Sequence, residues 1–301
     1  MQLIRPAAMT LTAATAPLSD ETAWLSTRTY AIGARVSVAT ADWCTDYEAV
    51  QAGTNNAPAT NPTYWLDLGA SNRYKMLDAS VSSATKDTTA VTVTVAVEQR
   101  CSHLGLFGLT GAKQVTVEQA LIANGAAPWS MTRSLARSGG SASWSDWWFT
   151  QFEYVGALVL AFPRSVGNFA LTVTVAGDAD TMVGVGHLAI GRAVWLGETL
   201  VDAEVGITDY SRKETDEWGE TQLVQRAYAK RATLRLTLPD AHADTVQAQL
   251  AAVRAVPVIW DCNGPDTAFE SLRIFGIYKE FALQLGGLNQ TTCTLNLEGM
   301  T

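Results

Sequence analysis

Valine and threonine alternate along much of this chain. In "AVTVTVAV", Val91, Val93, Val95 and Val97 fall on one face of an extended segment and Thr92 and Thr94 on the other. The same two-residue period runs through "ALTVTVAGD" (Leu171, Val173, Val175), "TLRLTL" (Leu234, Leu236, Leu238), "SLRIFGIYKEFALQL" and "TCTLNLEGM". Side chains of a pleated strand point alternately to its two faces, so this pattern predicts half-buried antiparallel strands. Turn-forming clusters such as "GTNNAPATNP", "ARSGGSAS" and "DCNGPDT" separate them. The stretches "SHLGLFGLTGAKQVTVEQ" and "VGVGHLAIGRAVWLG" read as a pair of long-strand regions. The period changes to a helical one in "PDAHADTVQAQLAAVRAVPV", where Val246, Leu250 and Val253 share a face between Asp240 and Pro257. A further strand, "VPVIWD", follows at once.

The expected class is therefore mostly β, with one clear helix and an α+β finish. Four blocks are expected: an arm over 1–22, a small aromatic module over 23–70, a jelly-roll-like β-sandwich over 71–197, and an α+β domain over 198–301. The opening stretch, "MQLIRPAAMTLTAATAPLSDETAW", has its apolar run interrupted by Pro6, Thr10 and Thr12. It reads as an ordered arm or a loose tail rather than a secretion signal.

Charge changes this picture in one respect. Only 17% of the 301 residues are charged and the net charge is −8. A broad basic face for nucleic acid or anionic membrane is excluded. No apolar run approaches the ~18–20 residues of a membrane span. So low a charge density points to a surface that neighbouring subunits cover.

Candidate chemistry is sparse. Cys44, Cys101, Cys262 and Cys293 are scattered without a C-x-x-C pair, so neither a metal nor a redox role is expected. Cys293 alternates with Leu295 and Leu297, as a buried strand thiol does. His103, His187 and His242 stand in unrelated contexts, and no nucleophile elbow or phosphate loop is present. Asp209, Glu214, Asp216, Glu217 and Glu220 cluster, and a glycosidase needs two carboxyls flanking a sugar. Yet Arg212, Lys213, Arg226, Lys230 and Arg231 interleave with them. A salt-bridged interface segment is the expected reading, with no enzyme and no cofactor.

The aromatic block carries a resemblance. Trp24, then Tyr30, Gly33 and Val36 in a Y-x-x-G-x-x-V pattern, then Tyr47-Glu48-Ala49 and Tyr64-Trp65 resemble the short chitin-binding type of carbohydrate-binding module on bacterial chitinases, over about 45 residues. The resemblance implies a three-stranded unit in which Trp24, Tyr30, Tyr47 and Trp65 form the core, because so small a unit has little else to bury. The chain departs from that pattern at "SVATADWCTD", which leaves Trp43 with the least structural excuse. Trp43 and Tyr64 are the expected glycan platform, with a packing or spacer role for the module as the alternative.

The continuation "YWLDLGASNRYKMLD" looks like a run in virion proteins of tailed bacteriophages. The segment "VGITDYSRKETDEWGETQLVQRAYAKR" resembles a stretch of the same proteins still more closely. With "FESLRIFGIYKEF" and "TCTLNLEGM", the resemblance to phage tail-tip or minor tail proteins, distal-tail-like in type, extends over roughly 230 residues. The motifs "HLGLFGL" and "VGHLAIGRAVWLG" are similar to galactose-binding-like sandwiches. These resemblances imply a virion component of a tail tip or baseplate, forming a symmetric ring between tail tube and tip. Its partners are then itself, other tail proteins and a host-surface glycan. Arg212, Glu214, Asp216, Arg226 and Arg231 are expected to fix register between subunits. The alternative is a free-standing carbohydrate-binding or adhesin protein, or the non-catalytic part of a glycan hydrolase.

Overall fold

The computed structural model describes residues 1–121, 129–137, 143–149, 153–163, 169–200, 202–215, 218–263, 269–285 and 290–301. The mostly-β class read from the alternation holds. A five-stranded antiparallel sheet has the order Trp129–Ser134, Gln114–Leu121, Phe169–Ala176, Ala90–Val97, Met9–Ala14. Its valine face packs on strands His103–Phe107, Ala157–Ala161 and His187–Trp195 of a larger sheet, burying Val93, Val95, Val117, Leu171, Val173, Leu106 and Ile190 in one core. The two long-strand regions pair as expected, with Leu104 opposite Ile190 and Leu106 opposite Leu188. On the other face, threonines meet across the strands. Thr94 and Thr172 hydroxyls are 3.0 Å apart, and Thr92 and Thr174 hydroxyls 3.2 Å.

The larger sheet does not stop at the expected boundary between residues 197 and 198. From His187–Trp195 it continues through Gln2–Pro6, Val258–Asp261, Arg273–Gln284, Gln290–Gly299 and Tyr228–Pro239. Strand Gln2–Pro6 is the seam, with Leu3 opposite Val194 on one side and Trp260 on the other. The stretch expected as an arm or tail thus supplies a central strand. Alternation then splits its residues between two cores. Leu3 joins Leu234, Leu236, Leu250, Trp260 and Leu295. Ile4 points the other way, to Phe107, Ala157, Ile259 and Phe275. The approach is close: a Cβ on Gly191 would sit 2.1 Å from the Arg5 carbonyl oxygen.

The expected helix spans Ala243–Ala252, behind a 3-10 turn at Asp240–His242. Val246, Leu250 and Val253 are buried on the sheet, and the Tyr278 hydroxyl donates to the Leu250 carbonyl at 3.0 Å. At the helix C-terminus that carbonyl also accepts from the Val253 amide at 3.2 Å. Cys293 is fully buried in Gln290–Gly299, where its alternation with leucine places it.

The aromatic module is a three-stranded sheet, Arg35–Ala39, Cys44–Ala49 and Trp65–Ala70, with a short pair, Thr29–Tyr30 and Gly53–Thr54. Asn72 fastens its exit to the body. The side-chain amide donates to the Lys86 carbonyl and its oxygen accepts from the Lys86 amide, both at 2.9 Å.

Candidate functional site

The module's core forms around Tyr30, Val36, Ala49 and Trp65, with Trp24, Tyr47 and Tyr64 packed against it. Tyr30 meets Trp65 edge to face, with ring centroids 5.3 Å apart. The polar ends of both rings are used. Trp65 Nε1 donates to the Asn56 carbonyl at 2.9 Å, and the Tyr30 hydroxyl accepts from the Leu25 amide at 2.8 Å. All four residues expected in the core contact it. Tyr30 and Trp65 are buried, whereas Trp24 and Tyr47 are half-buried.

The structure separates Trp43 from Tyr64. Strands Cys44–Ala49 and Trp65–Ala70 run antiparallel, with Ala49 opposite Trp65 and Thr45 opposite Ala70. Tyr64 therefore lies at one end of the small sheet and Trp43 at the other, about 20 Å away at ~3.3 Å per residue. Both are half-buried. Tyr64 sits over Gly53 on the module core. Trp43 leaves the module altogether and packs on Tyr74, with centroids 4.9 Å apart and planes at 38°. Its turn is fixed by Thr40, whose amide donates to the Trp43 carbonyl at 2.7 Å.

Trp43 and Tyr74 form one wall of a cleft of about 670 Å3 between module and body. Pro6, Met9, Leu188 and His187 also line it. His187 is 6% exposed, stacks on Phe275 with centroids 3.9 Å apart, and has no partner for Nδ1. Burial depresses its pKa to about 4 against an opposing main-chain contact at Asp78, so the ring is neutral at physiological pH. Asp78 is committed elsewhere, accepting from the Ser80 amide and the Ser83 hydroxyl at 2.8 Å each. Aromatic faces, a neutral imidazole and exposed Asp42 suit a polyhydroxylated ligand that stacks its C–H face on a ring. They make no nucleophile–base pair. Among the described residues, no group of three or more His, Cys, Asp or Glu is placed to hold a metal. Tyr74 and His187 escaped sequence reasoning. Tyr74 lies in "YWLDLGASNRYKMLD" and His187 in "VGHLAIGRAVWLG", and neither pattern distinguishes the one residue that lines the cleft.

The charged segment forms a second feature, a two-stage β-hairpin. Glu204–Asp209 pairs with the start of Tyr228–Pro239, and Arg212–Thr215 then pairs with Thr221–Val224. Ser211 joins the stages, donating its hydroxyl to Asp209 at 2.6 Å and accepting from the Arg226 amide at 3.1 Å. All of Arg212–Thr215 is exposed, on both strand faces. A strand exposed on both faces packs on nothing, so the outer stage projects from the body as an arm. Val205, Ile207, Tyr210, Trp218, Leu223 and Tyr228 are exposed along it. Arg212 and Glu214 pair at 3.1 Å near its tip, Arg226 is exposed at the joint, and exposed Arg231 lies at the root opposite Gly206 and Glu298. Asp216 lies outside the described residues. No described helix is long and apolar enough to cross a membrane.

Compared with known proteins, no family model and no curated protein matches this chain.

Proposed function

We propose that this chain is a structural subunit of a bacteriophage tail tip or baseplate, assembling with copies of itself into a ring between tail tube and tip. One observation carries the reading. The arm presents a row of apolar side chains and both charge signs on strands that its own body leaves uncovered. Monomeric proteins rarely leave such a surface open, and a strand arm is an economical way to reach a neighbour. The resemblance of the segment around 205–231 to phage tail proteins supports the same role. The catalytic machinery of an enzyme has no place in it, and the segment's carboxylates serve as interface charges.

The test is association of the purified full chain, followed by sedimentation across concentration and by negative-stain imaging. Concentration-dependent oligomers with rotational symmetry are expected. Arg226→Glu should weaken association at least tenfold, about 1.4 kcal/mol, while leaving thermal unfolding unchanged. Wild-type association in that variant removes the charged joint from the interface.

A second reading is favoured by the cleft at Trp43 and Tyr74: a carbohydrate-binding or adhesin role, either beside the structural one or in its place. Retention on immobilised chitin or host-surface glycan that is lost in Tyr74→Ala distinguishes it.

A further inference from the structure

The cleft between module and body carries one sign of charge. Asp42 and Asp78 line it, and among its described lining residues there is no lysine or arginine. Asp42 is exposed, and among the described residues its carboxylate has no hydrogen bond or ion pair. The basic residues next along the chain turn elsewhere. Arg5 alternates with Pro6 and so points to the opposite face of its strand. Arg73 donates to the Ala16 carbonyl at 3.0 Å, and Lys75 has Asp46 as an electrostatic partner. A second cavity, of about 350 Å3 beside Tyr228, differs in this respect. Lys230, Arg273 and Glu270 line it, so both signs are present there.

The other walls of the cleft suit a positive guest. Trp43 and Tyr74 are half-buried rings tilted against each other. An aromatic face is negative and attracts a cation lying within about 6 Å of the ring centroid. His187 adds no positive charge, since its buried ring is neutral at physiological pH. The ring proton serves the contact at the Asp78 main chain, which leaves Nδ1 a lone pair without a donor. Met9, Leu11, Leu77 and Pro257 also line the cleft and give the body of a ligand an apolar bed.

We propose that this cleft binds an organic ammonium ion, its charged nitrogen against the Trp43 and Tyr74 rings and beside the Asp42 carboxylate, its carbon substituents on the apolar lining. Carboxylate and ring faces then act on the same charge from different sides. Two sources carry this chemistry: an alkylammonium group and the protonated amine of an amino sugar. The amino sugar deepens the carbohydrate reading of the cleft and rests on it, whereas the alkylammonium group stands without it.

The test is calorimetric titration of the full chain in mildly acid buffer, where the amino sugar is charged. One pair of probes is choline and its neutral carbon isostere, dimethylbutanol. The other is a glucosamine oligosaccharide and its N-acetylated form. In at least one pair the charged probe is expected to bind roughly tenfold more tightly, and that pair identifies the source. Asp42→Asn changes an exposed side chain and should cut the preference about fivefold. A preference unchanged in that variant overturns the site. Charged and neutral forms that bind equally in both pairs overturn the site and leave the carbohydrate reading standing. N-acetylated oligosaccharide bound alone overturns it in favour of a neutral glycan. No heat from any probe overturns it together with the amino-sugar form of the carbohydrate reading.

Discussion

The aromatic module and the arm treat aromatic side chains in opposite ways. The module leaves Leu25, Ile32, Val50, Leu66 and Leu68 exposed but turns rings inward, so that Tyr30 and Trp65 make a core with Val36 and Ala49 for three short strands. The arm turns its rings outward, with Tyr210 at 47%, Tyr228 at 54% and Trp218 at 91% exposure. Stability in the first comes from a handful of contacts within one chain. The second holds its shape through hairpin hydrogen bonds and leaves its apolar surface for something else. Exposed apolar surface on a regular, hydrogen-bonded element is a cost to the monomer that burial against a partner would recover.

Substitutions can break this contrast, beginning where the effect is largest. Trp65→Ala removes a 5%-exposed ring and its bond to Asn56 from the small core. A loss of about 3–5 kcal/mol is expected, enough to unfold the module. Limited proteolysis should then cut within 23–70 while the sandwich survives. A module that resists cleavage would mean its fold rests on the body instead.

Acid should act next, through the body rather than the arm. His187 has an ordinary pKa of 6.5 when unfolded and about 4 when folded. Above pH 6.5 neither state holds the proton. Between 6.5 and 4 the unfolded chain binds it and the folded chain does not, so stability falls as pH falls. At 1.36 kcal/mol per unit the loss approaches roughly 3 kcal/mol near pH 4. Denaturant unfolding across this window should show the slope, and His187→Gln should flatten it.

Smaller effects sharpen the comparison further. Trp43→Ala should leave the module folded and cost about 0.5–1.5 kcal/mol, the worth of its contact with Tyr74. Thermal unfolding measures the cost, and tryptophan-independent protease mapping shows whether the module stays intact. Ile207→Ser on the arm should change stability by less than about 0.5 kcal/mol, since its side chain is already in water in the monomer. Calorimetry on dilute protein checks this. A clear destabilisation would mean that the monomer buries this side of the arm.

Much of the fold was legible along the chain. Val91, Val93, Val95 and Val97 announced their buried face, as did Leu234, Leu236 and Leu238, and the helix lay where Val246, Leu250 and Val253 placed it. The module's rings were legible too, since a small unit must spend its aromatics on itself. The candidate site was half legible. Trp43 stood out as a ring without a core role, but its partner Tyr74 and the lining residue His187 did not. The cavity beside Tyr228 left no trace, because Lys230 comes from one strand and Glu270 and Arg273 from a 3-10 turn and the start of another, and each is unremarkable in its own context.

The sequence by itself determined which residues face inward on each strand, where the helix lies, and which segment concentrates the charge. These are local properties, written in periods of two and of 3.6. Only the tertiary structure decided that Gln2–Pro6 joins two blocks into one sheet and that Trp43 and Tyr64 part company. Alternation records that a face will be buried and says nothing of what buries it. Leu3 finds Val194 and Trp260 only when the chain has closed loops of most of its own length, and no local pattern carries that information.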